Sequence, residues 1–114
     1  MGLGIWPRLD VKQLEFIHPK LRELLAAIGD HFGEQNLLIT SLYRIGDSGV
    51  HGTLPLRGTD LHSWSAVWGR NVASWANGEW IYNEKNPEKA VALYHDAGNG
   101  FHVHLQVHPN TRRK

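Results

Sequence analysis

The chain has 114 residues, 41% of them hydrophobic, and a formal net charge of +1. This fits one domain spanning residues 1–114 with a real core, and excludes a disordered chain. The near-neutral balance offers no basic stripe for nucleic acid. The absence of cysteine excludes disulfides and thiolate metal ligands.

Residues 1–17 read as a lead-in, without the basic start and long apolar run of a classical signal peptide. Pro19 suits a first helical turn, and Leu21, Leu24, Leu25 and Ile28 follow at helical spacing, with Gly33 as a stop. His18 and His31 fall at the ends of that helix. Leu37 to Tyr43 reads as a buried strand, followed by a loop of glycine and small polar residues. Thr59 to His62 reads as a second short strand. Residues 65–78 predict a helix with Val67, Trp68, Val72 and Trp75 towards the core and Gly78 at its end. A strand over 90–95, a turn over 97–100 and a last strand from Phe101 to Val107 complete the order. The basic Arg112–Lys114 run reads as a solvated tail. No stretch has the apolar length of a membrane span. The fold class is α+β: a small antiparallel sheet with helices packed on one side.

Eight histidines and five tryptophans are an unusual load for a chain this short. Side chains alternate along a strand, so Phe101, Val103, Leu105 and Val107 share a core face. His102, His104, Gln106 and His108 share the other, although Pro109 takes His108 off the strand. A polar strand face that happens to hold histidine would look the same. Upstream, His51 and Asp60 flank a segment with two glycines and a proline, which can fold back and bring them together. A loop histidine and a turn aspartate are the alternative. Together the two segments offer His51, Asp60 and His104 as nitrogen and oxygen ligands, a set that suits zinc and leaves a fourth position for water. His102 is placed for acid–base work beside them. His62 shares the strand of Asp60, and His95 precedes the last turn; both are candidates for contacts behind the ligands. Ser48 is a candidate for bonding a ligand or capping its loop. Among Trp64, Trp68, Trp75 and Trp80, core packing is the ordinary role, with one exposed ring near the cleft as a candidate ligand platform.

Three segments make the chain resemble the peptidase M15 family, the zinc D-alanyl-D-alanine carboxypeptidases and endolysin peptidases. That family belongs to a wider group with lysostaphin-type peptidases, murein endopeptidase and the hedgehog domain. Thr40-Ser41-Leu42-Tyr43-Arg44 resembles the family's Ser-x-Tyr-Arg element. Ser48-Gly49-Val50-His51 through Gly58-Thr59-Asp60 resembles its Ser-x-His…Gly-x-x-Asp element. Phe101-His102-Val103-His104 is similar to its His-x-His element. The resemblance covers roughly residues 36–108. It implies a zinc site on the open sheet face, with His51, Asp60 and His104 as ligands, Arg44 binding the substrate peptide and His102 assisting catalysis. Two features depart from the pattern. The loop from His51 to Asp60 carries Thr53-Leu54-Pro55-Leu56-Arg57 as extra length, and positions 99–103 lack the carboxylate that often serves as base. His102, a distant carboxylate such as Glu84 or Asp96, or no residue at all then fills that role.

The expected function is a monomeric zinc peptidase acting on peptidoglycan stem peptides, made in the cytoplasm and released to the cell wall, as in a phage lysin. A non-catalytic zinc-binding domain that recognises cell-wall peptide, or belongs to a larger assembly, is the rival expectation.

Overall fold

The computed structural model describes residues 4–5, 17–43, 57–96 and 101–114. Helix α1 (Pro19–Phe32) begins as the sequence predicts, with Pro19 at its first position. His18 caps it: its Nδ1 accepts a hydrogen bond from the Lys20 N–H at 3.0 Å. Leu21, Leu24, Leu25 and Ile28 are all buried, and Gly33 ends the helix at φ 96°, a conformation costly for other residues. Helix α2 (Ala66–Glu79) is capped by Ser65, whose Oγ accepts from the Trp68 N–H at 3.0 Å.

Of the four core positions predicted on α2, Val72 is buried and Trp68 and Trp75 pack against the core, but Val67 does not. Gly69, Val72, Ala73 and Ala76 are its buried residues, whereas Val67 is 65% exposed. The cause is Gly69. The helix sits so close to the sheet there that a Cβ would collide with the Tyr94 ring and Ser63 Oγ. Small residues therefore face the sheet, while Trp68 and Trp75 pack at the flanks of the core. Gly78 lies inside the last turn, and Trp80 caps the helix instead.

The main sheet, among the described residues, runs β1 (Gly4–Ile5), β2 (Leu38–Tyr43), β3 (Gly58–His62), β6 (Phe101–Gln106), β5 (Ala92–Asp96) in space. It is antiparallel except that β1, within the segment read as a lead-in, pairs parallel with β2. Ile39, Leu61, Val103 and Leu105 turn to one face and join both helices in a single core. Phe101, predicted to be core, is 52% exposed at the strand's end, where it stacks on Tyr94. Asn77 of α2 ties the helix to the edge strand: its Oδ1 accepts from Ala92 N–H and its Nδ2 donates to Ala92 O.

The basic C-terminal run is not a solvated tail. Arg112 and Arg113 form β7, antiparallel to β4 (Trp80–Ile81). Arg112 pairs with Glu84 and Arg113 with Glu79. The Arg113 guanidinium also lies 5.8 Å and 5.9 Å from the Trp75 and Trp80 rings. The tryptophans thus explain the order here, by giving an arginine stem and its charge an aromatic bed. No helix among the described residues is long and apolar enough to cross a membrane.

Two predictions follow from the helices. Gly69→Ala gains about 1 kcal/mol of helix propensity but overpacks a contact whose cost is about 1–3 kcal/mol. A lowered thermal midpoint is expected, read by calorimetry. For α1, the His18 ring caps only when neutral. Burial, then Arg57 and Lys20, hold its pKa below the ordinary 6.5. With the folded pKa below the unfolded one, the cap contributes fully above pH 6.5 and fades as pH falls through the folded value. Urea melts should show His18→Ser losing less stability than the wild type between pH 7 and 5.

Candidate metal centre

The open face of the sheet is built by register. Asp60 stands directly opposite His104, and His62 opposite His102, across the β3–β6 pair. On the other side of β6, Leu93 opposes His104 and His95 opposes His102. Because alternate residues point alike, these six side chains share the face away from the helices. They form two cross-sheet rows: Asp60, His104, Leu93 and His62, His102, His95. The β2 side contributes a bulge between Ile39 and Ser41. The extra residue there, Thr40, donates from Oγ1 to the Asp60 carbonyl at 3.3 Å, fixing the backbone that carries the carboxylate.

Within the first row, His104 Nδ1 lies 3.2 Å from Asp60 Oδ1. His102 Nε2 is 3.8 Å from the same oxygen. His95 sits edge-on to His102, ring centroids 4.2 Å apart, and 6.2 Å from His104. His62 meets Trp64 edge-on at 4.4 Å.

Gln106, which the sequence places on this face without a role, orients the centre. Its Nε2 donates to Ala90 O at 2.7 Å, which fixes the amide because a carbonyl can only accept. Its Oε1 then faces His104 Nε2 at 3.2 Å and takes that nitrogen's proton in hydrogen bond. The Nδ1 edge of the ring then faces Asp60 Oδ1. Burial depresses the His104 pKa below 6.5, partly offset by the Gln106 hydrogen bond, so the neutral ring is favoured. A proton on Nδ1, or a cation held between the two atoms, satisfies this 3.2 Å contact. Two ligands on one zinc ion, at tetrahedral angle and usual bond lengths, stand about 3.3 Å apart. The spacing of the pair and the amide behind the ring are compatible with a metal centre in which a ligating imidazole donates its other N–H to a carbonyl oxygen.

The remaining candidates divide plainly. His51, Arg44 and Ser48 lie outside the described residues, as does the 97–100 turn. Among the described residues, no group of three or more His, Cys, Asp or Glu side chains is arranged to hold a metal ion. Asp60 and His104 are brought together, His102, His95 and His62 border them, and His108 leaves the strand to accept from Asn110 N–H. Glu84 is engaged by Arg112 beside the small sheet. A cleft of about 500 Å³ lined by Trp80, Tyr82, Lys89 and Lys114 also belongs to that second sheet and includes none of the histidines. Compared with protein-family models, curated proteins and solved structures, the chain matches none.

The tautomer is directly testable. Long-range ¹H–¹⁵N correlation spectra of the metal-free protein should show neutral His104 protonated on Nε2 and titrating below 6.5. Gln106→Leu should return a mixture of both tautomers.

Proposed function

We propose that the chain is a zinc-dependent peptidase of the D-Ala-D-Ala carboxypeptidase and endolysin type, acting on peptidoglycan stem peptides. The observation that carries this reading is the Asp60–His104 pair, held in register on the open sheet face 3.2 Å apart with Gln106 behind it. His51 is the third ligand by its place in the sequence pattern. Zinc bound by these residues would supply a water nucleophile and polarise the scissile carbonyl.

The chain's own residues do the rest. His102, beside Asp60 and braced by His95, takes the proton from the attacking water and returns it to the leaving amine. Arg44 binds a substrate carboxylate or backbone carbonyl. Gln106 holds His104 in the ligating tautomer. Asp60 is the one carboxylate among the described side chains of the face, which is why His102 carries the base role. The same scarcity of carboxylates favours the second reading, a zinc-binding domain that recognises cell-wall peptide without cutting it.

The test is protein loaded with zinc, metal content measured, and peptidoglycan incubation products read by mass spectrometry. Stoichiometric zinc and stem-peptide cleavage are expected, both lost in His104→Ala and Asp60→Asn. Gln106→Leu should weaken zinc binding by about 10–100-fold. Protein that takes up no zinc would sink the reading. Bound zinc without cleavage of any wall peptide would select the binding domain.

A further inference from the structure

The tryptophans divide sharply in exposure. Trp80 is buried and Trp68 and Trp75 pack on the core, but Trp64 is 54% exposed. Trp64 is nevertheless held at two points. Its Nε1–H donates to Asn36 O at 2.6 Å, and the ring meets His62 edge-on at 4.4 Å and 85°. A side chain fixed this way has already lost the rotamer freedom that a ligand would otherwise have to remove. Its one polar atom is occupied, so what remains for a ligand is the indole face.

That ring is tied to the candidate centre by register. His62 lies two residues beyond Asp60 on the same face, about 7 Å along the strand. The ring contact places the indole within about 11 Å of the Asp60–His104 pair. An extended peptide crosses such a span in about three residues. Of the other exposed apolar side chains, Leu93 stands beside the pair opposite His104 but is aliphatic and offers no flat ring face. Val67 is on α2, and Phe101 stacks on Tyr94 on the helix side of the sheet.

We propose that Trp64 is a sugar-stacking platform, so that the substrate is a glycan-linked peptide rather than a free one. A pyranose ring has the apolar C–H face that a fixed indole can cover. The exposed Glu34 and Gln35, next to the Asn36 that anchors the ring, and the His62 imidazole supply polar partners for its hydroxyls. The sugar rests on Trp64 and the peptide runs along β3 to Asp60 and His104. The proposal rests on the peptidase reading for its catalytic part, but sugar binding can be measured without it.

The experiment titrates N-acetylglucosamine–N-acetylmuramic acid disaccharide into the full chain and follows the Trp64 indole N–H resonance, assigned by its absence in Trp64→Phe. Folding of each variant is checked by the dispersion of its amide spectrum. A saturable shift, with at least tenfold weaker binding in Trp64→Ala and retained binding in Trp64→Tyr, is expected. An unmoved resonance, or Trp64→Ala binding like the wild type, overturns the proposal. In parallel, kcat/KM is compared for a disaccharide-linked stem peptide and the same peptide without sugar. At least tenfold preference for the former, erased in Trp64→Ala, with cleavage about three residues from the sugar, is expected. Equal rates on both, or cleavage at the amide next to the sugar, overturn the platform while leaving the peptidase reading standing. No cleavage of either removes the peptidase reading, and the titration alone then decides the platform.

Discussion

The antiparallel register of β3 against β6 is the constraint on which the rest depends. It sets Asp60 opposite His104 and, by the same alternation, sends Leu61, Val103 and Leu105 into the core. The two faces cannot be adjusted independently. A slip of one residue would bury the imidazoles and expose the aliphatics, so the hydrophobic effect that folds the sheet also holds the polar pair in line. Burial of a Leu or Val side chain is worth about 1.5–3 kcal/mol, and several such residues oppose the slip at once. Precision at the pair comes from core packing on the opposite side of the same strands.

Two smaller devices finish what the register begins. The β2 bulge at Thr40 bonds the Asp60 carbonyl, and the Gln106 amide spans from Ala90 to the His104 ring. One fixes the backbone under the carboxylate and the other fixes a proton on the imidazole. Both act through groups that cannot reverse roles, a carbonyl acceptor in each case. The close seat of α2 at Gly69 supports the arrangement from beneath, since it sets Tyr94 on β5 and hence the strand that brings His95 to His102.

Much of this was legible in the sequence where periodicity is strong. The α1 stripe, the β6 alternation and the placement of Asp60 on a short strand with His62 all follow from spacing. On α2 the spacing points Val72, Trp68 and Trp75 correctly at the core but puts Val67 there in place of Gly69, because close approach to a sheet rewards the smallest residue over the more hydrophobic one. The C-terminal arginines looked solvated because their partners, Glu79, Glu84 and the indoles of Trp75 and Trp80, come from a segment more than twenty-five residues away. Gln106 was visible on the correct face, but its role depends on the Ala90 carbonyl, which only the β5–β6 pairing brings near. Trp64 could be named as one of four tryptophans; which of them is exposed is a tertiary fact.

Asn77 has a further consequence. Strand β5, which carries His95, is an edge of the sheet among the described residues, and a bare edge is a template on which another chain can pair. At Ala92 the two amide atoms of one side chain reproduce the donor and acceptor of a neighbouring strand. The sheet is thus terminated there from within, by a helix residue rather than by charge or proline. A strand adding at this edge finds the Ala92 donor and acceptor already taken, while the face bearing the histidines is left uncovered by either helix.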